Sequence, residues 1–424
     1  MKEYKSRIAD TLLRKKLEGI GAVLIEGPKW CGKTTTAEQQ AKSIVYMDEE
    51  IGGTSWQQLA SINPKGVLTG ETPRLIDEWQ TAPQLWDAIR FEVDHRDNDG
   101  QFILTGSAVP VEDQKMKHSG TGRVSWLTMR PMSLWESGES NGSVSLKELF
   151  SEPEQIFAEN SLTLEDIAFL TCRGGWPRAT LQKKETSLGR ALDYFDAIVK
   201  KDISRVDGIR RDSERTRRIL RSYARHQGTQ TPISTIAGDV RANESGGVDD
   251  KTIYSYVTAL KKLFVIEDME AWNPNLRSKT AIRTSDNHYF VDPSIATAAL
   301  GLGPNDLIND LNTFGLFFET LCVRDLRVYA EANDGNVFHY RDKSGLECDA
   351  VIHLRNGSYG LIEIKLGGET LINEGVRALT NLADKIDTTK MKAPSFRMIL
   401  TAVGKFAYRR TDGVYVIPIG CLKD

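Results

Sequence analysis

Cysteine is scarce in this chain. Five cysteines in 424 residues, at 31, 172, 322, 348 and 421, are scattered, odd in number and form no CxxC pair. That pattern excludes a disulfide scaffold and a zinc ribbon. Long apolar runs are missing too: none approaches the ~18–20 residues of a membrane span, so no membrane association is expected. An excess of either charge is absent, since 55 Lys and Arg against 58 Asp and Glu leave a net charge of −3. A globally basic nucleic-acid coat and a disordered acidic tail are thereby excluded, while a local basic face is not. Residues 1–19 alternate charges without the apolar core of a signal peptide, which sets a cytoplasmic expectation. What remains is 40% hydrophobic and 27% charged, an ordinary soluble composition. At about 100–200 residues per domain the length suggests two to four domains.

The first third carries phosphate chemistry. GAVLIE (21–26) is the short apolar run of a buried parallel strand. GPKWCGKT (27–34) follows at once and matches G-x-x-x-x-G-K-[ST]. This spacing lets loop N–H groups cradle a β-phosphate, with Gly27 and Gly32 supplying the backbone angles. Lys33 reaches the β- and γ-phosphates of ATP, and the Thr34 hydroxyl ligates Mg2+. From Thr35 a helix is expected over 35–43, its N-terminus adding to the anion site.

A second strand, within PRLIDEWQ (73–80), ends in Asp77 and Glu78. Asp77 suits Mg2+, and Glu78 suits a base that orients the attacking water. A third, QFILTGS (101–107), offers Thr105 and Ser107 as sensors of the γ-phosphate. Residues 43–47 and 123–128 complete five strands, which predict a doubly wound α/β layer. Trp79, Leu85, Trp86, Ile89 and Val93 recur near helical spacing and read as core. Arg123 follows HSGTG (118–122) and has two readings: an arginine finger, or simply the start of a strand.

The middle reads as mostly helical over 146–227, broken by a turn at GGWP (174–177). Between positions 204 and 226, eight arginines (205, 210, 211, 215, 217, 218, 221, 225) stand against Asp207, Asp212 and Glu214, a local charge of +5. Such a run is a solvated helix face or a nucleic-acid surface. A short helix at 233–237, a turn at 244–247, a capped helix at 250–262 and a strand at 264–266 follow the order of a winged helix. Its third helix would bring Lys251, Tyr254, Ser255 and Lys261 to DNA. Winged helices also serve as protein–protein modules.

The last third reads as a hairpin. LECDAVIHL (346–354) and YGLIEIKL (359–366) flank RNGS (355–358), a strong turn signal. Cys348, Ala350, Ile352 and Leu354 share one face, and Gly360, Ile362, Ile364 and Leu366 must share it on the partner strand. Paired residue numbers therefore sum to an even value. A three-residue turn with Gly357 left-handed achieves this, pairing Leu354 with Ser358 and setting Asp349 opposite Glu363. Asp349, Glu363 and Lys365 then cluster on the opposite face. Two carboxylates so close can chelate Mg2+, and a lysine beside them can orient a water or stabilise a pentacoordinate phosphate. Glu319, on an expected helix in FGLFFE (314–319), could add a further carboxylate. The plainer alternative is an exposed sheet face with a Glu–Lys pair.

Taken together, the chain resembles one bacterial and archaeal family: AAA-type P-loop ATPases joined through a winged helix to a C-terminal domain of unknown function with the restriction-endonuclease-like PD-(D/E)xK fold. The matching stretches are GPKWCGKTTTA (27–37), PRLIDEWQ (73–80), FILTGSA (102–108), GTGRVSWLTMRPMSLWE (120–136), GGWP (174–177), YFVDPS (289–294), FGLFFET (314–320), ECDAVI (347–352) and LIEIKLG (361–367). The resemblance implies nucleotide binding at Gly32, Lys33 and Thr34, and Mg2+ and water handling at Asp77 and Glu78. It also implies a nuclease-type site at Glu319, Asp349, Glu363 and Lys365, and a finger position at Arg123. Where the family carries a basic residue before its YFVDPS-like strand, this chain has SDNH (285–288).

The resulting expectation is an α/β chain with a P-loop AAA-like core at 1–140, a helical subdomain at 141–210, a winged helix at 211–295 and a PD-(D/E)xK nuclease-like domain at 296–424. The expected activity is ATP hydrolysis with Mg2+, coupled to DNA processing in a homo-oligomer. Two competing functions are an ATP-driven switch whose C-terminal fold only binds, and an assembly module without nucleic acid.

Overall fold

The computed structural model describes residues 4–51, 53–96, 98–106, 120–151, 156–242, 247–274 and 285–424. Ser107 and parts of the stretches 118–122 and 244–247 lie outside them. The chain divides into two compact units. Met1–Pro131, Lys201–Arg211 and Thr258–Phe264 form the first, and Met132–Lys200, Asp212–Val257 and Val265–Asp424 the second.

The first unit is built on five strands, β1 (Ala22–Glu26), β2 (Ser43–Tyr46), β3 (Arg74–Asp77), β4 (Phe102–Thr105) and β5 (Val124–Thr128). They run in the order β2-β3-β4-β1-β5, every pair parallel. Parallel strands covered on both sides must be apolar throughout, and strand alternation sorts their side chains into two cores. Val23, Ile25, Leu75, Ile103 and Leu127 pack with Leu13 and Leu17 of α1 (Ile8–Leu17) and Ala37 of α2 (Lys33–Glu38). Ala22, Leu24, Ile76, Phe102 and Leu104 pack with Leu85, Trp86 and Ile89 of α3 (Leu85–His95). The doubly wound layer is therefore present, with all five expected strands. Helix α2 is shorter than the expected 35–43. The amides of Gln39 and Gln40 bond Thr36 O and Ala37 O, a three-residue closure that tightens the last turn and lets the chain re-enter the sheet at Ser43.

Farther along, α4 (Ser213–Arg225), α5 (Ile233–Arg241) and α6 (Asp250–Lys262) follow in chain order. Antiparallel bridges Ile266↔Phe290 and Met269↔Asn287 come next, then α7 (Pro293–Leu300). The strand expected at 264–266 shrinks to the bridge at Ile266, because Phe264 takes φ 56 and breaks extended geometry there.

The second unit holds a mixed sheet of β6 (Phe157–Glu159), β7 (Gly335–Arg341), β8 (Glu347–Leu354), β9 (Tyr359–Lys365), β10 (Phe396–Thr401), β11 (Phe406–Arg409) and β12 (Tyr415–Pro418), in the order β7-β8-β9-β10-β12-β11-β6. β6 is a strand inside the stretch expected to be mostly helical. Helix α9 (Glu369–Lys385) covers one face, where Val376, Leu379 and Leu382 meet Val351, Leu361 and Ile399. Helix α8 (Leu311–Ala332) packs on β7, β8 and β9, over the alternate buried set Ala350, Ile352 and Ile362.

Candidate functional site

The phosphate loop lies at the C-terminal end of β1, between β4 and β5. Gly27 has φ 142 and Gly32 φ 100, backbone angles that favour glycine. A Cβ on Gly27 would lie 2.0 Å from the Met129 carbonyl oxygen, so the loop can leave β1 only through a glycine. Lys33 is buried and folds back, its Nζ donating to Gly27 O at 2.8 Å and Pro28 O at 2.7 Å. Thr34 Oγ1 donates to Asp77 Oδ1 at 2.8 Å, and Thr105 Oγ1 donates to the same oxygen at 2.5 Å. Three residues chosen from three separate motifs thus meet on one carboxylate. Thr35 is exposed on α2, outside this contact. Glu78 follows Asp77 with φ 56 and ψ 41, a left-handed kink that turns its side chain away from the strand direction. Beside it stands Gln80, which composition and spacing do not single out and whose Nε2 donates to Glu78 Oε2. An amide two residues beyond the acidic pair, on a tight turn, was the available signal.

Arg123 sits at the other end of the sheet. Val124 is level with Ala22 at the start of β1, and Thr128 is level with Glu26. Five residues at ~3.3 Å each separate Arg123 from the phosphate-loop end, roughly 16 Å. Its Nε donates to Asp94 Oδ1 at 2.8 Å, on an exposed edge.

The hairpin of the second unit keeps the register that alternation predicts as far as Ala350. Beyond it β8 bulges, Tyr340 pairing with Cys348 where Phe338 pairs with Val351, so Cys348 packs with Val351 and Leu361 and not with Ala350 and Ile352 as expected. Ala350↔Ile362, Val351↔Leu361, Ile352↔Gly360 and His353↔Tyr359 all pair with an even sum, and Gly357 is left-handed at φ 82. One step farther, the Asp349 carboxylate replaces the ladder by accepting from Ile364 N at 2.7 Å. Glu363 is not open, however: α9 lies over it, and a Cβ on Gly375 would lie 3.2 Å from Glu363 Cβ. Glu363 is only 4% exposed.

Lys365 Nζ stands between the two carboxylates, 2.7 Å from Glu363 Oε2 and 3.2 Å from Asp349 Oδ2. Glu319 joins from α8, accepting from the hydroxyl of the buried Tyr289. Burial pushes both Glu319 and Glu363 upward, and the charge of Asp349 adds to it. Burial opposes the charge on Lys365, but Asp349 and Glu363 outweigh it and hold its ammonium protonated. Among the described residues Glu363 Oε1 is buried with no hydrogen-bond partner, an acceptor suited to a cation. Yet among the described residues no three His, Cys, Asp or Glu side chains are arranged to hold a metal ion; the lysine occupies the position between the carboxylates.

The arginine-rich stretch is less basic than its composition. Arg211 is buried against Asp207, Arg217 bonds Asp196 at 3.1 Å, and Arg225 bonds Asp239 at 2.9 Å. Asp196 and Asp239 lie outside the counted window and supply the missing counter-charge. On α6, Lys251, Tyr254, Thr258 and Lys261 are exposed, while Ser255 is half-buried. Their spacing puts the four on one helical stripe. His288 turns inward, its ring nitrogens against Asp268 Oδ1 and Thr231 O.

Residues 20–137 match the family model described as AAA domain, residues 164–306 the one described as Domain of unknown function (DUF8612), and residues 314–422 the one described as Domain of unknown function (DUF4143). All five strands of the first unit's parallel sheet lie within the stretch that matches the AAA domain model. Curated relatives include an uncharacterized protein of Mycobacterium tuberculosis and one of Mycobacterium bovis, each 24% identical over 379 residues, 88% of this chain and 76% of theirs. Among solved structures, a Walker-type ATPase of Pyrococcus abyssi aligns at 15% identity over 70% of this chain and 96% of its own, with a TM-score of 0.44. A DNA polymerase III gamma subunit-related protein of Thermotoga maritima aligns at 14% identity over 61% and 100%, with a TM-score of 0.22. No helix among the described residues is long and apolar enough to cross a membrane.

Proposed function

We propose that the chain binds and hydrolyses ATP and couples this to DNA processing, with a Mg2+-dependent nuclease-like site in its C-terminal unit. The observation that carries the ATPase reading is the convergence of Thr34 and Thr105 on Asp77, beside Lys33 at the end of β1. Lys33 is held by two weak acceptors, the loop carbonyls, which phosphate oxygens would replace with a stronger charge-assisted contact. Thr34 and Asp77 are the residues to hold Mg2+, which when bound neutralises charge between the β- and γ-phosphates. Glu78 accepts the proton of the attacking water, and Thr105 contacts the γ-phosphate. Arg123 stands too far along β5 to reach its own loop, so a finger role requires a second copy of the chain. The DNA reading draws support from the stripe Lys251, Tyr254, Thr258 and Lys261, which combines cations with an aromatic ring.

A second reading is favoured by one observation. The Lys365 ammonium already pairs with both Asp349 and Glu363 and occupies the position between them, as suits an ATP-driven switch whose C-terminal fold binds without cutting.

The test is an ATPase assay paired with cleavage of several DNA forms in Mg2+ or Mn2+. Wild type is compared with Lys33→Ala, Glu78→Gln and Lys365→Ala. Lys33→Ala and Glu78→Gln are expected to lose hydrolysis, and Lys365→Ala to keep hydrolysis and lose cleavage. Equal cleavage by Lys365→Ala and wild type would remove the nuclease claim and leave the switch. Failure to retain DNA even at low salt, where phosphate contacts bind most tightly, would remove the DNA claim.

A further inference from the structure

We propose that Gln80 is a positioning residue of the hydrolytic site, holding Glu78 with its amide nitrogen and the attacking water with its amide oxygen; this rests on the ATPase reading. Gln80 Nε2 donates to Glu78 Oε2. A carboxylate oxygen accepts, so the amide atom against it is the nitrogen and the other is Oε1. That oxygen is buried and has no partner among the described residues. Buried acceptors are almost always satisfied by protein or ordered water, so an unfilled one beside a proposed base is left for a partner that arrives with the nucleotide, the attacking water.

The surroundings fix the amide in place. Gln80 belongs to the turn Trp79–Thr81, closed by Thr81 N donating to Glu78 O at 3.0 Å. Trp79 anchors the turn in the core, 1% exposed and tilted against Trp86 at 5.0 Å between ring centroids. Opposite, a Cβ on Gly106 would lie 2.5 Å from Gln80 Oε1. The glycine after Thr105 leaves the amide in this position, which a side chain there would push aside. The side chain therefore spans from the proposed base just after β3 to the end of the strand carrying the proposed γ-phosphate sensor.

A water held here has two O–H bonds to place. One points to Glu78, and the other to Gln80 Oε1, leaving a lone pair for phosphorus. As the water oxygen bonds the γ-phosphorus, the bond from that phosphorus to the β–γ bridging oxygen breaks and ADP leaves. The water's proton passes to Glu78. Gln80 keeps its own protons throughout and only restricts the water's orientation, which is the condition for a near-attack geometry.

Steady-state hydrolysis and binding of a fluorescent ATP analogue, measured on the full chain for wild type, Gln80→Met and Gln80→Asn, test this. Gln80→Met keeps the volume and removes both polar atoms. Its kcat is expected to fall on the order of tenfold to a hundredfold, with KM and analogue affinity within about twofold of wild type. Gln80→Asn is expected to recover part of kcat. In a Glu78→Gln background Gln80→Met should cost little more, since the two residues act as a unit. A kcat within about twofold of wild type for Gln80→Met overturns the assignment, and so does loss of analogue affinity in both variants, which marks a structural role. If wild type itself neither binds the analogue nor hydrolyses ATP, the ATPase reading falls and takes this one with it.

Discussion

Single residues carry constraints that the folded chain makes visible. Gly27 is one: φ 142 and the Met129 carbonyl 2.0 Å from any Cβ leave no room for alanine. Gly27→Ala must displace the Met129 N to Glu26 O bond of 2.8 Å and hold an unfavourable φ, together costing about 2–4 kcal/mol. Thermal unfolding of the full chain is expected to shift down and ATP affinity to fall at least tenfold; wild-type affinity would show that the loop is held some other way. His339 gives a pH prediction. Its ring is buried on β7 with Nε2 against Ser285 O, and burial lowers its pKa to about 4. The folded state keeps the ring neutral while the unfolded chain takes up a proton near pH 6.5. Stability is therefore full above that pH and is lost as pH falls from about 6.5 toward 4, by up to about 3 kcal/mol. Melting temperatures from pH 8 to pH 4 should fall more steeply for wild type than for His339→Gln; parallel curves would refute this.

At the scale of elements, what was legible in the sequence is what depends on local periodicity. Five parallel strands follow from apolar runs, and the β8–β9 register follows from an even-sum rule and Gly357. The covering of Glu363 by α9 did not follow, because Glu363 reads as a polar position whatever lies over it, and the bulge beside Asp349 leaves no mark on the apolar alternation. Nor did the role of three quoted motifs. Met132, Gly175, Asp292 and Asp325 belong to stretches far apart, yet Met132 N bonds Gly175 O at 2.7 Å, Gly175 N bonds Asp292 Oδ2 at 2.9 Å, and Leu134 N bonds Asp325 Oδ2 at 2.9 Å. Arg324, 2% exposed, bonds Asp292 Oδ2 at 2.9 Å and Asp325 Oδ1 at 2.8 Å. A Cβ on Gly174 would lie 2.5 Å from Asp292 Oδ1. These motifs build one buried polar joint inside the second unit, and only long-range contacts reveal that they belong together. Local charge counting failed for the same reason, since Asp196 and Asp239 reach the arginines from other helices.

On the scale of the whole molecule, the parallel sheet separates two parts of one proposed reaction. Lys33 lies beyond the C-terminal end of β1, and Arg123 precedes the N-terminal end of its neighbour β5, roughly 16 Å away at ~3.3 Å per residue. A side chain cannot cover that span, so an arginine finger at Arg123 has to serve the loop of another copy. Contacts of this kind are head-to-tail, with different patches on the two protomers. Arg123→Ala is expected to reduce kcat on the order of 10³-fold, with ATP affinity retained, and Lys33→Ala to be inactive through lost binding. Mixed in equal amounts, the two inactive variants should recover roughly a quarter of wild-type activity. A working site needs Lys33 from one protomer and Arg123 from the next, each present with even odds. Specific activity of wild type should also rise with protein concentration through the association range. Recovery absent from the mixture, or full activity in a strictly monomeric wild type, would leave Arg123 as no more than the first residue of an edge strand pinned by Asp94.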